Sequence, residues 1–118
     1  MATPDLIRSS TDLLVLSVLA DGPQYGYGLI KQVSARSEGT IRLTPGVLYP
    51  LLHQLEQQKL LLASWEGSAD GERRGRPRKW YRLSAKGRRR LEKGVQAHRT
   101  YQAMIESFLP KADLGGAS

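Results

Sequence analysis

Residues 12–20, DLLVLSVLA, form an apolar run rich in helix-forming Leu and Ala; Ser10 or Thr11 can cap its start, and Gly22-Pro23 stops it. A first, largely buried helix is expected there. From Tyr25 to Ser37, apolar Leu29, Ile30 and Val33 recur at i, i+1 and i+4, with Lys31, Gln32 and Arg36 opposite. This is the pattern of an amphipathic second helix. Gly26 and Gly28 weaken it, which points to close backbone approach as their reason for being there. Thr44 then stands as an N-cap before Pro45 at the first helical position, and Leu48, Leu51, Leu52 and Leu55 share one stripe, predicting a third helix over 45–58. Its other face carries Gly46, Tyr49, Pro50, His53 and Gln57, polar and aromatic but nearly uncharged. Pro50 removes a hydrogen bond to the Gly46 carbonyl, which is tolerable mainly near a helix start.

Two β-like runs follow, 60–66 (LLLASWE) and 78–83 (RKWYRL), separated by GSADGERRGRP, whose Gly and Pro forbid a regular element. A hairpin with a long basic tip is expected. Leu83 must point inward just before the next helix, so alternation turns Tyr81 inward as well and puts Trp80 and Arg82 on the other face. Ser84 caps a helix running from Ala85 to about Leu109, in which Leu91, Val95, His98, Gln102, Ile105 and Leu109 follow a 4,3 spacing. Tyr101, Met104 and Phe108 widen that stripe, and so wide a stripe needs a partner surface. A second copy docked through Leu91, Val95, Tyr101, Ile105, Phe108 and Leu109 would supply it, giving a twofold homodimer.

The order of helix, helix, helix, strand, loop, strand, helix is that of a winged helix-turn-helix with a long C-terminal helix, a mostly α fold with a small β-hairpin. The expected division is a helix-turn-helix unit over 1–83 with its wing at about 67–77, a dimerisation helix over 84–109 and a flexible tail over 110–118. A length of 118 residues suits one domain. No apolar run approaches the roughly 18 residues of a membrane span. MATPDLIRSS has no basic segment followed by an apolar stretch, so no signal peptide is read and a cytoplasmic location is expected. Cysteine is absent, which excludes disulfides and thiolate metal sites.

Charge changes the picture more than composition does. Net charge is +7, and ten of the 18 Lys and Arg fall between Arg73 and Arg90 with no acid among them. The remaining 8 basic residues face 11 acidic ones. One local segment on a slightly acidic body is the footprint of a polyanion partner, since phosphate contacts dominate nucleic-acid affinity. The wing, RRGRPRK, presents Arg73, Arg74, Arg76, Arg78 and Lys79 around a Gly and a Pro, a shape suited to phosphates or the narrow minor groove. An α-helix fits the major groove, so the third helix is the natural reader, with Thr44, Pro45, Gly46, Tyr49 and His53 as its candidate contacts. Tyr25 and Tyr27, flanking Gly26, join them. Two separated His, no HExxH, no phosphate-binding glycine motif and no paired acids leave no assembled catalytic site, and no cofactor is called for. An RNA-binding or ribosome-associated winged helix would share the basic wing, but A-form RNA has a major groove too narrow for a helix.

Three segments, LLVLSVLADGPQYGYGLIKQV (13–33), LTPGVLYPLLHQLEQQKLL (43–61) and GRPRKWYRLSAKG (75–87), at this spacing resemble the PadR family, in its short branch with one C-terminal helix. Tyr25 stands where that family often has His. The resemblance implies a dimeric repressor that binds double-stranded DNA and releases it when a small aromatic or hydrophobic effector sits near the dimer centre. Some relatives stack planar ligands on a tryptophan of the C-terminal helix; here Trp65 and Trp80 lie in the hairpin instead. Trp80, His98 and Tyr101 are the candidate effector contacts.

Overall fold

The computed structural model describes residues 4–66 and 77–111, with side chains from Ser10 onward. Its elements run α1 (Pro4–Ala20), β1 (Gln24–Tyr25), α2 (Gly26–Arg36), α3 (Pro45–Gln57), β2 (Leu61–Trp65), β3 (Lys79–Leu83) and α4 (Ala85–Glu106). This is a winged helix-turn-helix with a long C-terminal helix, as the order of sequence patterns predicts. The wing stretch 67–76 and the tail 112–118 lie outside the described residues.

Three boundaries differ from expectation. Helix α1 begins at Pro4 rather than near residue 12. Proline suits a first helical position because its missing N–H is one that has no helical partner there and its φ is already set. Ser10 and Thr11 are therefore interior residues, not caps. A third strand, β1, pairs antiparallel with β3 through Gln24↔Tyr81 and Tyr25↔Trp80, giving the order β1-β3-β2. Two residues are too few for an alternation to reveal them. Helix α4 closes at Glu106, and the chain tightens into i→i+3 bonds from Phe108 N–H to Ile105 O (2.9 Å) and Leu109 N–H to Glu106 O (3.2 Å) ahead of Pro110.

The core follows the periodicities. Val15, Leu16, Val18 and Leu19 of α1 meet Leu29 and Val33 of α2, Leu48, Leu52 and Leu55 of α3, and Leu61, Tyr81 and Leu83 from the sheet. Tyr81 and Leu83 are both buried, as alternation along β3 requires. Among the described residues every buried side chain except the Tyr81 phenol is apolar, so apolar burial is what orders these elements. The α3–β2 turn is tied off by Leu60 N–H to Leu55 O (3.0 Å) and Lys59 N–H to Glu56 O (2.9 Å), with Lys59 left-handed at φ 64. This is a Schellman cap made without glycine.

The start of α4 is stapled to that turn. Ser84 donates its backbone N–H to Leu60 O (3.0 Å) and its hydroxyl to Lys59 O (2.7 Å), while its Oγ accepts from Gly87 N (2.9 Å) as the N-cap. A β-carbon on Gly87 would overlap the Leu60 carbonyl, so only glycine lets the helix cross so close. From there α4, about 33 Å long at 1.5 Å per residue, packs on α1 over its first half.

That packing divides the α4 stripe. Leu91 is buried in the chain's own core and Val95 packs against it. The sequence pattern counts both among the candidate subunit contacts; in the single chain Leu91 is buried and Val95 partly buried. Tyr101, Met104, Phe108 and Leu109 stay exposed, with Ile105 half-buried among them.

Candidate nucleic-acid interface

Helix α3 owes its position to its leucines and its start to Thr44, whose Oγ1 accepts from Val47 N at 3.3 Å. With Leu48, Leu52 and Leu55 buried, Pro45, Gly46, Tyr49, Pro50, His53 and Gln57 are left facing out. Pro50 sits within the helix without ending it, and leaves the Gly46 carbonyl without its helical donor on that outer face. Nothing in the fold requires glycine at 46: a β-carbon there would find only Thr44 Oγ1, at 4.0 Å. The face is therefore neutral and shallow at its N-terminal end, where Pro45 has no N–H, Val47 N–H is capped by Thr44, and the Gly46 N–H alone of the first turn lacks a helical partner.

Tyr49 is half-exposed, and the hydroxyl end of its ring lies on Gly26 of α2. Sequence patterning places it wholly outward; instead it leans on the neighbouring helix, and Gly26 is the close approach that makes this possible. At Gly28 a β-carbon would meet the far end of the Gln24 side chain, which can move aside, and the Tyr25 ring at 3.3 Å. Tyr27 is exposed, with Lys31 Nζ 5.5 Å from its ring centroid. Tyr25 is turned to the sheet, edge-on to Trp80 at 5.1 Å between ring centroids.

The hairpin meets this face at its base. Residue 79 opens β3, in register with Trp65, and the last pair before the wing is closed by Glu66 N–H to Arg78 O at 2.6 Å. Arg78 and Lys79, grouped by sequence with the free wing cations, are both engaged inside the domain. The Arg78 guanidinium lies 4.7 Å from the Tyr25 ring centroid and 3.8 Å from Glu66 Oε1. Lys79 Nζ bonds Glu56 Oε1 of α3 at 3.1 Å. That bond raises the Lys79 ammonium above its ordinary value, against the opposing effect of burial. Burial raises the Tyr81 phenol as well, and the Lys79 charge beside it pulls the other way. Arg73, Arg74 and Arg76 lie outside the described residues.

Sequence reasoning missed Glu56 and Glu66. The available signal was the pairing register: once Leu61 faces Leu83, residue 66 must face residue 78 across the mouth of the loop.

The candidate effector contacts separate into two places. His98 and Tyr101 line an open groove of about 310 Å³ between α1 and α4, with Ser10, Asp12, Leu13, Leu16, Arg90, Gly94 and Ala97. Trp80 does not line it. Its ring is against Tyr25, and its Nε1 donates to Glu66 Oε1 at 2.9 Å.

A model of the PadR-like family of transcriptional regulators matches residues 15–93. The transcriptional regulator Rv3488 of Mycobacterium tuberculosis is 33% identical over 90 residues, 76% of this chain and 77% of its own length. Among solved structures, a PadR family transcriptional regulator from Eggerthella lenta is 32% identical with a TM-score of 0.70, over 91% of this chain and 88% of that one. A transcriptional regulator from Clostridium thermocellum shares the fold with a TM-score of 0.78 at 21% identity, over 90% of this chain and 99% of that one. Among the described residues no helix is long and apolar enough to cross a membrane. The neutral α3 face, the basic hairpin beside it and these likenesses lead to one assignment: the chain belongs to the PadR-like family, whose members are transcriptional regulators and not enzymes.

Proposed function

We propose that this chain is a repressor that binds duplex DNA as a homodimer, reads sequence with the outer face of α3 and holds the backbone with its wing. The observation that carries this is the outer face of α3 itself. A helix locked by three buried leucines presents Gly46, Tyr49, His53 and Gln57 with no charge among them, next to the base of a hairpin rich in cations. A rigid neutral face suits base edges, and cations on a connecting loop suit phosphates. Thr44 and Pro45 border the same face, exposed Tyr27 of α2 is a further candidate contact, and Arg73, Arg74 and Arg76 belong to the phosphate contacts of the wing.

Dimerisation is assigned to the exposed distal end of α4, where Tyr101, Met104, Ile105, Phe108 and Leu109 present more apolar surface than one chain covers. The groove between α1 and α4 is the proposed effector site. Its floor of Leu13, Leu16, Gly94 and Ala97 suits a small flat apolar molecule, and Arg90, His98 and Tyr101 offer polar contacts at its edge. An occupant there would bear on how two α4 helices meet, and so on the spacing of the two α3 helices over DNA.

Footprinting on the promoter of the protein's own gene tests the reading. Protection of two half-sites about one helical turn apart is the expected result. Uniform weak protection, or equal competition by duplex RNA, would contradict it.

A further inference from the structure

The basic segment holds ten cations, yet Arg78, just before β3, and Lys79, its first residue, face acids of the domain itself. Lys79 Nζ lies 3.1 Å from Glu56 Oε1, with the ring centroids of Trp65 at 5.9 Å and Tyr81 at 5.5 Å. The Arg78 guanidinium is laid on the Tyr25 ring, 3.8 Å from Glu66 Oε1, and that oxygen also accepts the Trp80 indole N–H. An ion pair of 3.8 Å at a half-exposed site is weak by itself. Here it is one edge of a closed set in which Tyr25, Trp80, Glu66 and Arg78 each touch two others. A planar guanidinium gains from an aromatic face as well as from the carboxylate.

The two acids are conspicuous by position. Glu56 is the one formally charged residue of α3, and Glu66 is the one acid in the described part of the hairpin. A bare carboxylate beside a phosphate backbone repels it. Each acid instead has a cation set against it, one from the end of α3 and one from the mouth of the wing.

We propose that Glu56 and Glu66 are positioning residues that hold Lys79 and Arg78 against the domain, so that these cations register the hairpin on α3 and β1 and do not contact phosphate. The inference rests on the DNA-binding reading for its consequence at DNA, while the two pairs exist without DNA.

Two measurements on the full chain test it. The first is the salt dependence of duplex binding for Arg78→Ala and Lys79→Ala, each made alone and beside Glu66→Gln or Glu56→Gln respectively. Glutamine keeps the size and, at 66, an acceptor for Trp80, but removes the charge. Each alanine alone should leave the slope of log K against log salt nearly unchanged. Beside the glutamine the same alanine should lower it by about 0.9, because the released cation has moved to phosphate. A loss of about 0.9 in the native background, or the same effect in both backgrounds, overturns the proposal. The second is a nitrogen NMR titration of the lysine ammoniums without DNA. Lys79 titrating above the other lysines, and joining them in Glu56→Gln, supports the anchor even where DNA binding itself is absent. Lys79 titrating with the other lysines in the native chain overturns it.

Discussion

The ring of Tyr49 on α3 lies with its hydroxyl end over the α-carbon of Gly26, the first residue of α2, where any β-carbon would overlap it. This contact sets how near the first turn of α2 comes to the outer face of α3. Gly26→Ala should push the helices apart and cost about 1 to 3 kcal/mol, the usual range for overpacking. In a Tyr49→Ala background the same change should cost much less, because the obstacle is gone. Denaturant melts of the four chains measure this as a coupling energy. Equal cost in both backgrounds would mean that Tyr49 swings away freely in solution.

Gly46 separates stability from function. Its β-carbon would meet open space and its backbone is helical, so Gly46→Ala should be neutral or should stabilise the fold by up to about 1 kcal/mol. If the outer face of α3 reads DNA as proposed, operator affinity should fall all the same, because the added methyl stands on that face. A melt and a binding titration on one sample measure both effects. Unchanged affinity would remove Gly46 from the interface.

The α4 stripe does two jobs along its length. Leu91→Ala removes a buried core side chain and should cost about 2 to 5 kcal/mol of stability. Phe108→Glu, 80% exposed in the single chain, should leave the fold intact and weaken self-association. Ile105→Glu, half-buried, should weaken it more, by several kcal/mol, through an unpaired charge at the interface. Sedimentation velocity with parallel melts distinguishes the three. A native chain that stays monomeric at micromolar concentration would refute the dimer.

Two groups should make the fold sensitive to alkali. The Lys79 ammonium is raised above its ordinary 10.5 by Glu56, so its contribution is fully present below that pH and is lost as pH rises through the raised value. The Tyr81 phenol is raised above 10.0 by burial, so the folded state holds its proton where the unfolded chain releases it. Stability falls there too. Both effects have one sign, and the melting temperature should drop above about pH 10 while these groups contribute no change between pH 6 and 9. Tyr81→Phe and Glu56→Gln should each flatten the alkaline limb. A limb unchanged in both variants would place the sensitivity elsewhere.

How much of this was legible in the sequence depended on how local the cause was. The α3 stripe, its Thr44 cap and its neutral outer face come from a 3.6-residue period and one capping side chain, and all three are found where the pattern puts them. Alternation placed Tyr81 and Leu83 inward for the same reason. The 4,3 spacing of α4 is identical for residues buried in the chain's core and residues left exposed, so it cannot tell Leu91 from Leu109. Only the crossing of α4 at Gly87, which follows from the α3–β2 turn, decides which half docks. The Lys79–Glu56 pair joins residues 23 apart in sequence and depends on the hairpin lying against α3. Trp80 was assigned to the face opposite Tyr81, and it is Tyr25, in a strand too short to be read, that covers it.

The most direct test of the central claim is a fluorescence anisotropy titration of the native chain on three duplexes at several salt concentrations: its own promoter segment, a scrambled DNA of equal composition, and an RNA of equal length. A neutral reading helix beside a basic wing predicts promoter binding tighter than scrambled DNA by a factor on the order of 10³ or more. It also predicts similar salt slopes for the two DNAs, because the wing's phosphate contacts are shared and the α3 contacts carry the preference. Equal affinity for promoter and scrambled DNA, or RNA bound as tightly as the promoter, would contradict the claim that α3 reads duplex DNA.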